Sequence, residues 1–147
     1  MEHEDYMRRA LELAREAMED GDVPVGCVLV KDGVIVGEGR NRREERGDAT
    51  AHAEMEAIRQ ASEKLHSWRL SGVTMYVTLE PCPMCAGGVI NSRIDTVRYG
   101  AKEKKMGACG SVLNLFEERF NHKPRVYSGL LQKECAALLE EFFETLR

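Results

Sequence analysis

The chain of 147 residues is long enough for one compact domain and too short for two ordinary ones. With 43% hydrophobic and 31% charged residues it is neither a disordered nor a fibrous chain. The formal net charge of −4 argues mildly against a nucleic-acid partner, although Arg40, Arg42, Arg43 and Arg46 gather in one segment and Lys102, Lys104 and Lys105 in another.

Met7, Leu11, Ala14 and Met18 recur at helical spacing, which predicts an amphipathic helix over residues 5–20, stopped by Gly21, Asp22 and Pro24. Residues 25–30 and 34–37 flank Asp32-Gly33, a two-residue hairpin signal, so the first two strands pair antiparallel. From 39 to 50 the chain is polar and Arg-rich without apolar periodicity and reads as a surface loop. A helix over 52–64, a buried strand over 73–78, a short helix over 83–92 and a strand over 96–99 follow. Strand, helix and strand in that order imply a right-handed parallel crossover. After a Gly-rich basic stretch come a short helix over 112–119, a last strand over 125–127, and a C-terminal helix striped by Leu131, Leu138, Leu139, Phe142 and Leu146. Residues 1–147 thus form a single α/β domain, a mixed sheet covered by helices on both faces.

No apolar run approaches the roughly 18 residues of a membrane span, and Met1-Glu2-His3-Glu4-Asp5 lacks the features of a signal peptide, so a cytoplasmic protein is expected. Five cysteines, odd in number and unevenly spaced, fit a reducing compartment with thiols free for a metal.

His52 in His52-Ala53-Glu54, with Cys82 and Cys85 in Pro81-Cys82-Pro83-Met84-Cys85, are borderline-to-soft donors of the kind zinc accepts. Two sulfurs of a Cys-x-x-Cys reach one ion when the first precedes a helix and the second lies in its first turn, and Pro83 suits that turn. Residues two apart on a regular helix diverge by about 200°. His52 and Glu54 therefore face one site only if His52 stands at the very start of its helix. Three protein ligands leave a fourth tetrahedral position for water, whose pKa zinc lowers from 15.7 to about 7. Glu54, beside the metal and not bound to it, is the candidate general acid/base. Separately, a Cys-x-x-Cys also fits a redox pair and a His-x-Glu arises by chance; together at two loop-to-helix junctions they match the signature of zinc deaminases. Cys27 and Cys135 read as core packing, and Cys109, without a partner at metal spacing, as structural.

The sequence also resembles the bacterial tRNA-specific adenosine deaminases along nearly all of its length. The likeness rests on Val23-Pro-Val-Gly26, Gly37-Glu-Gly-Arg-Asn41, Thr50-Ala-His-Ala-Glu54, Tyr76-Val-Thr-Leu-Glu-Pro-Cys82, Met84-Cys-Ala-Gly87, 107–111, Asn121-His122, Glu134-Cys135 and Phe142-Phe143. It implies a three-layer α/β/α cytidine-deaminase-like fold with a mixed five-stranded sheet, one zinc per subunit and a homodimer. The implied reaction turns adenosine into inosine at the wobble position of a tRNA anticodon stem-loop. It further implies substrate contacts from Asn41, Ala53 and Glu103, against a plainer reading of Asn41 as a loop-capping residue. Arg42, Arg43, Lys105, Asn121 and His122 are the candidate RNA contacts; the basic loops read equally as solvated surface. Where the family has Gly-Ala-x-Asp-x-Lys-Thr-Gly, this chain has Glu103 for the aspartate and Met106 for the threonine. Two other readings stand beside this one: a small-molecule nucleobase or nucleotide deaminase of guanine or cytosine type, and a non-catalytic zinc module.

Overall fold

The structure, a computed structural model, describes residues 1–146. Helix α1 (His3–Glu19) starts at a capping box in which the Glu2 N–H donates to Asp5 Oδ2 at 2.8 Å. Its apolar side, including Met7, Ala10 and Ala14, is fully buried on the sheet. Strands β1 (Gly26–Lys31) and β2 (Val34–Arg40) form the expected hairpin, with Asp32 and Gly33 both at positive φ, 50° and 77°. β1 also pairs antiparallel with β3 (Val73–Leu79), which continues in parallel with β4 (Thr96–Ala101) and β5 (Arg125–Tyr127). The five strands lie in the order β2-β1-β3-β4-β5.

Strand alternation sends the two sets of side chains into separate cores. Cys27, Leu29, Met75, Val77 and Val97 meet α3 (Ala53–Leu65) and α4 (Pro83–Ser92) on one face. Val28, Val30 and Tyr76 meet α1 and α5 (Gln132–Thr145) on the other. This is the three-layer mixed sheet expected from the sequence. Cys27 and Cys135 are buried in these cores, as their positions predicted, and no helix among the described residues is long and apolar enough to cross a membrane.

Gly37 and Gly39 alternate onto the face of β2 that meets α3, opposite Ala53, Ala57 and Ala61, all fully buried. A Cβ at Gly39 would collide with the Ala53 carbonyl and lie 2.7 Å from the Ala57 nitrogen. The missing side chains let the start of α3 sit directly on the sheet. Gly39→Ala is expected to cost about 1–3 kcal/mol through overpacking, read as a lowered Tm; an unchanged Tm would contradict the close contact.

Two segments differ from expectation. Residues 39–50 are not all loop: β2 runs on to Arg40, and Arg43–Arg46 form a one-turn helix, α2. The Asp22 carboxylate, distant in sequence, accepts from the Glu44 N–H at 3.1 Å, and Gly47 closes the turn at positive φ. The helix expected over 112–119 shrinks to a 3-10 turn at Leu115–Glu117. There the Asn114 side chain takes the Phe116 N–H, and a bridge between Cys109 and Asn114 holds the preceding chain in a loop.

Candidate active site

Because β1 runs against β2 and β3, and β4 runs with β3, one edge of the sheet collects the start of β1 and the ends of the other three. Gly26 faces Arg40 there, and Leu79 faces Ala101. The chain leaves that edge into two helix starts. His52 is the residue before α3, with extended backbone (φ −82°, ψ 151°), and Cys82 is the residue before α4 (φ −77°, ψ 175°), with Pro83 opening the first turn. The non-helical turn at His52 swings its ring to the same side as Glu54.

His52 Nδ1 lies 3.6 Å from Cys82 Sγ and 3.5 Å from Cys85 Sγ, and all three donor atoms fall within 4.8 Å of one another. A tetrahedral zinc, with bonds of about 2.3 Å to sulfur and about 2.0–2.1 Å to nitrogen, separates the nitrogen from each sulfur by about 3.5–3.6 Å. The residues therefore fit zinc in both chemistry and spacing. A hydrogen bond shared with Cys85, and then one with His52, pulls the Cys82 thiol down to about 4. The same bond with Cys82, together with burial, pushes the Cys85 thiol up. The bond to Cys82 also raises His52. Glu54 is only 4% exposed, and burial pushes its carboxyl up to about 7. A cation among the three donors would draw it down again.

These groups open onto a pocket of about 460 Å³, within the usual range for small-ligand sites. His52, Glu54 and Cys82 line its floor; Asn41, Arg43, Glu103 and Met106 stand around them. The two polar loops thus converge on the site. Asn41 is wired into the protein: its Oδ1 accepts from the Ala53 N–H at 3.0 Å and its Nδ2 donates to the Val23 carbonyl at 3.1 Å. The second hydrogen on Nδ2 has no partner among the described residues. Ala53 itself is buried, with its N–H committed to Asn41.

The basic residues divide. Arg40 pairs with Asp20 at 2.5 Å, Arg42 with Glu45 at 2.7 Å, and Arg46 with Glu56. Arg43, on the pocket wall, makes no ion pair among the described residues. Lys105 is exposed on the loop beside Glu103. Asn121 and His122 lie elsewhere: His122 Nε2 bonds to the Ile94 carbonyl at 2.7 Å, just before β4 begins. That is the opposite edge of the sheet, a strand length of roughly 17 Å away.

Sequence reading alone passed over Glu80, which is 2% exposed yet reaches the pocket wall, and the apolar Val23, Val25, Leu79 and Phe143 that line it. The first four stand at strand ends beside motif residues, a signal that becomes readable only once the shared edge is known.

The family model described as MafB19-like deaminase matches residues 1–147. The chain is 50% identical over 143 residues to a tRNA-specific adenosine deaminase of Bacillus subtilis, covering 97% of this chain and 89% of that protein. A solved structure from work on A-to-I editing by tRNA:A34 deaminases at the wobble position of transfer RNA superposes with a TM-score of 0.88 at 45% identity, over 91% of this chain and 98% of that one. A guanine deaminase of Bacillus subtilis matches less well, with a TM-score of 0.66 at 33% identity over 82% of this chain and 88% of that one. The chain belongs to the MafB19-like deaminase family and, within it, to the tRNA-specific adenosine deaminases.

Proposed function

We propose that this protein hydrolyses adenosine to inosine at the wobble position of a tRNA anticodon. In this reading the whole chain acts as one catalytic domain of a cytoplasmic homodimer, with one zinc held in each subunit by His52, Cys82 and Cys85. The observation that carries it is the tetrahedral spacing of those three donors beside a buried, unbound Glu54 carboxylate.

Zinc, when bound, would supply the Lewis acidity that makes water a competent nucleophile near neutral pH. The chain's own residues do the rest. Glu54 takes a proton from the attacking water and delivers protons to the ring nitrogen and to the departing amine, so that adenosine and water become inosine and ammonia; such transfer is worth about 10²–10⁴-fold. Asn41, held rigidly from both ends of its amide, offers its remaining N–H to the nucleoside, and Ala53 takes part through the start of α3, which it anchors to Asn41. Glu103 and Met106 line the pocket wall, and in this reading Glu103 accepts from a sugar hydroxyl.

An anticodon loop is already single-stranded, which lowers the cost of presenting one base to such a pocket. Phosphates flanking that base meet Arg43, which has no ion-pair partner among the described residues, and the exposed Lys105. Arg42, engaged by Glu45, contributes less. Asn121 and His122, at the far edge, stand outside this contact set.

The test is inosine formation on a minimal anticodon stem-loop by zinc-loaded protein, with Arg43→Ala and Arg42→Ala in parallel. The wild type should form inosine. Arg43→Ala should raise KM several-fold and flatten its salt dependence by about one phosphate contact, and Arg42→Ala should do less. Deamination of free guanine or free nucleosides with the stem-loop untouched would overturn the reading.

A further inference from the structure

Glu80 lies directly after β3 and continues its pairing, its N–H donating to the Ala101 carbonyl at 2.9 Å. Its carboxylate is buried and, among the described residues, no Lys, Arg or His pairs with it. Instead one loop supplies every donor. Oε1 accepts from the Glu103 N–H at 3.1 Å and the Ser111 hydroxyl at 2.5 Å, and Oε2 from the N–H groups of Cys109 at 3.0 Å and Ser111 at 3.1 Å. Gly107 presses its bare Cα against the same carboxylate; a Cβ there would collide with Oε2 and with the Glu103 carbonyl. The loop from 103 to 111 is thus wound round one acidic side chain, whose own backbone is two residues from Cys82.

A buried carboxylate costs several kcal/mol unless its lone pairs are filled, and these are filled by the segment bearing Glu103 and Met106, the pocket wall facing the metal donors. Resting on the deaminase reading above, we infer that Glu80 is a positioning residue: it registers the 103–111 loop to the zinc-binding junction and so sets where Glu103 and Met106 meet the substrate. Among the described residues, the Glu80 carboxylate hydrogen-bonds only the loop and none of His52, Glu54, Cys82 or Cys85. Its role is to fix the distance between the wall that reads the nucleoside and the floor that reacts with it.

Glu80→Gln keeps the shape and turns one acceptor into a donor, which then faces N–H or O–H groups from the loop. A buried hydrogen bond is then left unmade, so the loop should detach on that side. Zinc content should stay at the wild-type level. KM for the stem-loop should rise about tenfold or more with kcat within a few-fold, and trypsin should cut after Lys102, Lys104 or Lys105 correspondingly faster. In combination with Glu103→Ala the KM effects should be less than additive, because both changes remove the same placed wall. Ser111→Ala, which deletes a single donor, should move KM and trypsin cutting in the same direction by a smaller factor, and serves if Glu80→Gln does not fold. Unchanged KM and trypsin cutting in the variants would overturn the inference, as would zinc loss from Glu80→Gln, since that would make Glu80 a support of the metal junction. Should the wild type itself leave the stem-loop unmodified, the proposed reaction fails, while the trypsin and zinc measurements still decide whether Glu80 holds the loop.

Discussion

Cys82→Ala is expected to strip the protein of zinc and of activity together. The three donors come from two helix starts about thirty residues apart in sequence, and each can be satisfied by the ion only if the other start is in place. With one thiolate gone, His52 and Cys85 remain as a two-donor site, too few for tight tetrahedral binding. Metal analysis should fall from the proposed one zinc per chain to a small fraction, and inosine formation to background, because the shift in water acidity from 15.7 to about 7 disappears with the ion. Cys135→Ala is the matched control. That thiol is buried between α5 and β4, close against Gly100 and away from the pocket, so its loss should lower Tm and leave zinc unchanged. Full zinc occupancy in the Cys82 variant would contradict the ligand set.

Glu54→Gln should separate proton transfer from metal binding. The side chain is buried and points into the pocket, and glutamine keeps its volume while removing the exchangeable proton. With zinc and Tm preserved, kcat should drop about 10²–10⁴-fold, equivalent to about 2.7–5.4 kcal/mol of transition-state stabilisation. KM should move little, since binding rests on Asn41, Arg43 and the 103–106 wall. A kcat within a few-fold of wild type would remove Glu54 from the chemistry, and a wild type with no deaminase activity at all would return the chain to the non-catalytic zinc reading.

The helix starts that carry His52 and Cys82 were legible in the sequence because the rules governing them are local. A proline at the first helical position and two donors separated by two residues are read within one turn of chain. The 3.6-residue period likewise marked α1, whose apolar side is buried, and Asp32-Gly33 marked the turn between β1 and β2, where both residues stand at positive φ. What escaped was everything decided across long sequence separations. Glu80 looks like the lead-in to a cysteine motif until its partners, some thirty residues later, come into contact with it. Arg43–Arg46 has no apolar stripe to betray a helix; Asp22 makes it one by accepting the Glu44 N–H. Arg42 and Arg43, adjacent and identical in type, part ways only because Glu45 and Glu56 reach the first of them.

The single shared edge has a consequence for the form in which substrate can arrive. Helices cover both faces of the sheet, and the pocket of about 460 Å³ opens at the end of the strands. On the proposed reaction, substrate enters along the strand direction, an approach open to a base that projects from a bend in a polynucleotide and harder for one stacked inside a stem.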